Sequence, residues 1–259
     1  MEEYALVTGA SKGIGRSIAV LLAKKRYNLL LVARSSGELE ELKRDLSLEY
    51  GIKVDFFVID LSLPDAAIKV VDWCNSNSYP VSILINNAGF GLWGKFESLS
   101  IEGQLNSIQL NINAVTELTF RLLPSLKKCS HAYILNIAST AAYQALPTLA
   151  VYAASKAYVL AFSRAIRIEL KDSSVSVTCI SPGPVATGFA ERAGLSVIKD
   201  LAEKFNMDPD VVAEVAVNAM FHKKSEVIPG FTNRISAYAN RFLPKSIIEY
   251  VAASLYKIR

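Results

Sequence analysis

Tyr4-Ala5-Leu6-Val7-Thr8 runs directly into Gly9-Ala10-Ser11-Lys12-Gly13-Ile14-Gly15, and Ile14, Ile18, Leu21, Leu22 and Ala23 then recur at helical spacing. A short apolar strand, a glycine turn and a helix N-terminus in this order make a phosphate site. The first N–H groups of the helix point outward, and its dipole favours an anion. Gly9 suits the tight turn, while Gly13 and Gly15 remove side chains where a pyrophosphate and the neighbouring strand approach. Ser11, Lys12 and Ile14 share the turn and count with the glycines as dinucleotide-binding candidates. The spacing is G-x-x-x-G-x-G rather than the commoner G-x-G-x-x-G, so the strand–turn–helix context carries the reading.

The end of the second strand bears on which dinucleotide is bound. Asn28 to Ala33 is apolar after its first residue and is followed by Arg34. A fold that selects NAD usually ends this strand on Asp or Glu, which bonds the ribose 2′-hydroxyl. Ala33 carries no charge to repel a 2′-phosphate, Arg34 offers a fork that grips phosphate, and Lys12 adds a second cation. The expected cofactor is NADP(H).

Tyr152 and Lys156 lie four residues apart, on one face of a helix, with Ser139 upstream. A phenol titrates near ~10, and an ammonium beside it favours the phenolate and lowers that value. A hydroxyl from a neighbouring strand can hold a substrate oxygen within reach of the phenol. Together these three residues can donate or accept a proton at a carbonyl or alcohol oxygen.

Thr8 to Gly15, Asn86-Asn87-Ala88-Gly89, Asn111, Ser139, Tyr152 with Lys156, and Pro182-Gly183 occur in one order over the chain up to about Thr187. In these segments the chain resembles the short-chain dehydrogenase/reductase family. The resemblance implies that Tyr152 is the general acid/base. Lys156 would lower its pKa and bind the nicotinamide ribose, and Ser139 would position the carbonyl. A fourth member, an Asn in the long helix after Asn86-Asn87-Ala88-Gly89, would anchor a proton-relay water. Leu110-Asn111-Ile112 followed by Ala114 aligns best, which favours Asn111 and leaves Asn113 as the competitor. The resemblance also places Asp60 and Leu61, and then Asn87, Ala88 and Gly89, along the adenine side of the cofactor. Asp60 can equally serve as a turn or helix cap before Pro64. Pro182, Gly183, Val185 and Thr187 would follow the nicotinamide, and the two long helices around 101–127 and 149–171 would pair subunits into a homodimer or homotetramer.

With 259 residues, 51% of them hydrophobic, the chain can bury one sizeable core, and residues 1–259 read as a single domain. Apolar strands near 4–8, 28–33, 53–59, 81–85, 131–138, 174–181 and 226–229 alternate with helices. That pattern predicts an α/β, Rossmann-type, doubly wound parallel sheet of about seven strands with helices on both faces and a C-terminal helical extension. Cys74, Cys129 and Cys179 form no C-x-x-C pair, and with only His131 and His222 beside them no metal site is expected. A net charge of +4 without a basic, aromatic-laced run argues against nucleic acid, and no apolar run reaches spanning length. A cytoplasmic protein without a transmembrane segment is expected.

Phe90, Trp93, Tyr143 and Phe189 are the candidate substrate contacts, an apolar group flanking the expected chemistry. Residues 188–208 read as a lid over that site. The tail from 231 to 259 is amphipathic and fits packing on its own domain or on a subunit mate, a cover for an apolar substrate, or a membrane-surface contact. The expected activity is NADP(H)-dependent reduction of a ketone or aldehyde, or oxidation of the matching alcohol, on a largely apolar small molecule. The alternative is a nucleotide-binding regulator or scaffold on the same fold without turnover.

Overall fold

The computed structural model describes residues 3–188, 206–242, 244, 248 and 249. Seven parallel strands form one sheet in the order β3-β2-β1-β4-β5-β6-β7. They are β1 (Tyr4–Thr8), β2 (Asn28–Ala33), β3 (Val54–Val58), β4 (Val81–Asn86), β5 (Ala132–Ile137), β6 (Val175–Ile180) and β7 (Glu226–Val227). The central strands are apolar at nearly every position because helices cover both faces. Odd positions of β1 (Ala5, Val7) join one buried cluster, and Tyr4 and Leu6 join the other.

The helices are α1 (Gly13–Lys24), α2 (Ser36–Tyr50), α3 (Ala66–Ser76), α4 (Ile101–Ile108), α5 (Ala114–Leu126), α6 (Ala150–Glu169), α7 (Pro209–Phe221) and α8 (Phe231–Phe242). Leu22 of α1 and Ala213, Ala216 and Met220 of α7 are buried on the face they share with Leu39 and Leu42 of α2. Val70 of α3 and Leu118 and Leu122 of α5 fill the opposite face. β1 pairs with β2 on one side and β4 on the other. The strand order therefore reverses direction at β1, and the crevice beyond the carboxyl ends of β1 and β4 is where such folds bind ligands.

Two features differ from the expected pattern. The helix anticipated around 101–127 is interrupted by a π turn at Gln109–Asn113, between α4 and α5. β7 is two residues long, because Ile228 to Gly230 turn the chain toward α8. Leu105 of α4, Phe120 of α5 and Ile168 of α6 are exposed on the helices expected to pair subunits. No helix of the described residues is long and apolar enough to cross a membrane. No group of three or more His, Cys, Asp or Glu among them gathers as metal ligands do.

Candidate active site

Tyr152 and Lys156 project from the first half of α6 toward the carboxyl ends of β4 and β5. Lys156 is 5% exposed, and its Nζ donates to the Ile137 carbonyl at 2.8 Å. The same Nζ lies 5.9 Å from the centre of the Tyr152 ring. Burial pushes the Lys156 amine down to about 8. The Tyr152 ring rests on the backbone of Gly91: a Cβ there would meet the ring's Cδ2 at 2.8 Å. Ser139 follows β5, where its Oγ accepts from the Ala141 N–H at 3.1 Å and caps the turn Thr140–Tyr143. The Thr140 N–H reaches the Pro182 carbonyl at 2.9 Å, which ties this turn to the Pro182-Gly183 loop.

Asn111 sits inside the π turn, fully buried. Its Oδ1 accepts from the Phe90 N–H at 3.1 Å, and its Nδ2 donates to the Phe90 carbonyl at 2.9 Å and to Ser155 Oγ at 2.9 Å. Ser155 Oγ in turn donates to the Tyr152 carbonyl at 2.7 Å. Asn111 thus connects the loop after β4 to the helix turn that carries the phenol. Asn113 is exposed and donates to Gln109 Oε1 at 2.7 Å. A Cβ at Gly89 would lie 3.0 Å from Asn111 Oδ1 and 3.3 Å from Lys156 Nζ. Asn111 Oδ1 and Lys156 Nζ thus both face the Cα of Gly89, where a methyl would crowd them.

Thr8 and Asn87 weld the glycine turn to β4. Thr8 Oγ1 donates to the Ile85 carbonyl at 3.1 Å and accepts from the N–H groups of Asn87 and Ala88 at 3.0 and 3.1 Å. Asn87 Nδ2 donates to the Thr8 carbonyl at 2.9 Å and the Gly9 carbonyl at 3.2 Å. Gly9 has φ +65°, and a Cβ at Gly15 would fall 2.2 Å from the Gly9 carbonyl oxygen, so neither position admits a side chain. α1 opens at Lys12 with no side-chain cap and no acidic residue in its first turn, which leaves its orphan N–H groups for an anion. An uncapped helix start behind a glycine turn, at the sheet's switch point, fits a dinucleotide phosphate.

The expected 2′-phosphate cations are both engaged by carboxylates. Lys12 Nζ is 2.7 Å from Glu38 Oε1, and Arg34 Nη1 is 3.3 Å from Asp60 Oδ2. Asp60 also accepts from Ser62 N–H at 2.9 Å and Ser62 Oγ at 2.7 Å, so its carboxylate works as a turn cap. Leu61 beside it is buried. In the loop after β6, the Ala186 N–H and Pro184 carbonyl pair with Met207, and a Cβ at Gly183 would collide with Asn233 of α8 at 2.5 Å. Thr187 lies over the glycine turn, its Cγ2 2.7 Å from where a Gly13 Cβ would be.

Of the candidate substrate contacts, Trp93 packs with Tyr152 against Leu146, Leu149 and Ala153, and its Nε1 is buried without a partner. Phe90 is held through its backbone by Asn111. The Tyr143 hydroxyl donates to Glu226 of β7, which Arg164 also holds; burial and that carboxylate keep the phenol well above its usual range. Tyr143 therefore offers its ring, with its hydroxyl already committed. It lines, with Leu146, Pro147, Ala153, Ala157 and Ile248, an apolar groove of about 750 Å³. Phe189 and all of the expected lid except residues 188 and 206–208 lie outside the described residues, as do most of those beyond 242. Sequence reasoning gave Thr8 only as the start of the glycine segment and missed Gly91, Ser155 and Glu38 as parts of the site. Of these only Glu38 had a local signal, its place three residues after Ser35.

A family model described as short chain dehydrogenase matches residues 3–197. The "Dehydrogenase/reductase SDR family protein 7-like" of Drosophila melanogaster is 30% identical over 96% of this chain and 78% of its own length. The "Very-long-chain 3-oxoacyl-CoA reductase" of Rattus norvegicus is 30% identical over 78% of this chain and 66% of its own. The structure of a short-chain dehydrogenase from Sphingobium yanoikuyae in complex with NADPH superposes with a TM-score of 0.83 at 28% identity. The match covers 100% of this chain and 96% of that one. The welded glycine turn, the Tyr152–Lys156 face and these matches agree: the chain belongs to the short-chain dehydrogenase/reductase family, oxidoreductases that act on small molecules with a nicotinamide cofactor.

Proposed function

We propose that this protein is an NADP(H)-dependent reductase of a ketone or aldehyde whose bulk is apolar, and that it also runs the matching alcohol oxidation. The observation that carries this reading is the buried Lys156 ammonium beside the Tyr152 ring at the mouth of the cofactor crevice. A nicotinamide bound there supplies the hydride equivalent. Tyr152 gives its proton to the carbonyl oxygen, and a positive charge on Lys156 favours the phenolate left behind. Ser139 Oγ accepts from Ala141 and has its own proton to donate to the same oxygen. Asn111 and Lys156, which meet at Gly89, are the polar groups through which a water would return the proton. Lys12 and Arg34, with uncharged Ala33, favour a 2′-phosphate over a bare hydroxyl, and the NADPH complex of the Sphingobium relative supports the same choice. The apolar substrate follows from Trp93, Leu146 and Leu149 around Tyr152, in keeping with the acyl substrate named for the rat relative.

The test is consumption of NADPH and of NADH by the purified protein across ketones and aldehydes of increasing chain length. Oxidation of NADPH in preference to NADH, rising with apolar length, is the expected result. Cofactor binding without any turnover would replace the reductase with a scaffold on the same fold.

A pH dependence follows from Lys156. Its amine is depressed to about 8, so the charged form is nearly complete at pH 7 and declines tenfold per unit well above 8. Reduction, which needs both the proton and the charge, is expected to fall as pH rises through about 8. A reduction rate that stays flat from about pH 7 to about pH 9.5 would remove Lys156 from proton delivery.

A further inference from the structure

Ser35-Ser36-Gly37-Glu38 has the spacing of a capping box, in which Glu at the third helical position bonds back to the N–H of the cap residue. α2 starts at Ser36 behind Ser35, so Glu38 occupies that third position. The structure does not use it there. Ser35 makes no side-chain cap, and Glu38 instead extends to Lys12 at 2.7 Å. Its other oxygen, Oε2, is buried without a hydrogen-bond partner. Lys12, with the Ser11 and Ser35 hydroxyls nearby, holds the carboxyl below the usual range, so it is a charged competitor at neutral pH. Glu38 therefore has a seat on Lys12 that strands one oxygen, and a second seat at its own helix N-terminus that the geometry leaves open. Asp60, the counterion of Arg34, has no such freedom because Ser62 grips it twice.

We propose that Glu38 is a specificity-determining residue: its carboxylate, paired with Lys12, competes with the adenosine 2′-phosphate for that ammonium, and it moves to the α2 cap when such a phosphate binds. The proposal rests on the reading of Lys12 as a 2′-phosphate ligand. Glu38 then weakens discrimination between NADPH and NADH, since only the 2′-phosphorylated cofactor must displace it.

The test measures binding of 2′,5′-ADP and 5′-AMP, which differ only in the 2′-phosphate, to wild type, Glu38→Gln, Lys12→Met and the double variant by titration calorimetry. Glu38→Gln keeps the side chain's shape at a half-exposed position. It is expected to tighten 2′,5′-ADP about three- to fivefold, the worth of one exposed ion pair, and to leave 5′-AMP unchanged. Lys12→Met is expected to cost more 2′,5′-ADP affinity in the Glu38→Gln background than in wild type, because Lys12 is then already free. Unchanged or weakened 2′,5′-ADP binding, an equal gain for both ligands, or strictly additive effects would each overturn the proposal. The reading beneath it fails separately. Wild type that binds the two ligands equally, while Glu38→Gln prefers 2′,5′-ADP, upholds the competition and removes the wild-type NADP preference; equality in both proteins removes both.

Discussion

Tyr152→Phe is expected to lower carbonyl reduction by about 10²–10⁴-fold, the contribution of a positioned proton donor. The phenylalanine ring keeps the seat on Gly91 and the packing against Leu146, Leu149 and Ala153, so the fold should be retained. The cofactor cradle is built from β1, α1 and the end of β4, and the substitution touches none of its hydrogen bonds. NADPH affinity, read by fluorescence titration, should therefore stay near the wild-type value while turnover falls. This separation distinguishes loss of a proton donor from general damage. Turnover retained in the variant would show that another group protonates the substrate. Ser139, whose Oγ keeps a proton to give, is then the first residue to test by replacement with Ala.

The parts of this site that were legible in the sequence are those set by short spacings. The strand–glycine–helix order at Tyr4 to Gly15 fixed the cradle, and the i, i+4 relation of Tyr152 and Lys156 fixed a shared helix face. All seven strands lie where apolar runs and Gly/Pro punctuation put them, with ends shifted by a residue or two. What could not be read are features created by distant partners. The π turn at Gln109–Asn113 has no distinguishing hydrophobic period, and Asn111 is joined there to Phe90 and Ser155 from two other segments. The buried chain from Asn86 to Asn136 to Ser163 likewise links β4, β5 and α6, and nothing at any one position announces it. The charges near the glycine turn illustrate the same limit. Arg34 and Lys12 were visible as cations, but Asp60 and Glu38 oppose them only because β3 and α2 bring those carboxylates alongside.

Asn111→Leu is expected to be the most damaging single change outside the Tyr152–Lys156 pair, in both stability and activity. The leucine fills a comparable volume and removes every polar atom. The Phe90 N–H loses its acceptor, the Phe90 carbonyl is left with the Ser107 hydroxyl at 2.9 Å, and Ser155 Oγ loses a donor while keeping its bond to the Tyr152 carbonyl. The stranded N–H costs about 1–3 kcal/mol and the two weakened groups add to it, so a net loss of about 2–3 kcal/mol is expected from denaturant unfolding. Activity should fall further than stability explains. Phe90 leads into Gly91, on which the phenol rests, and Ser155 holds the carbonyl of Tyr152 itself. Asn111→Asp separates the two effects. Its carboxylate can still accept from the Phe90 N–H but faces the Phe90 carbonyl with an oxygen where an N–H had been. It also places a negative charge across Gly89 from Lys156, which favours the charged amine and should move the fall in reduction to higher pH. Asn113→Ala is the control, since that side chain meets only Gln109 on the exposed face; its effect should stay within about 0.5 kcal/mol with turnover intact. Equal losses from Asn111→Leu and Asn113→Ala would mean that helix propensity, and not the link from Phe90 to Tyr152, governs this stretch of chain.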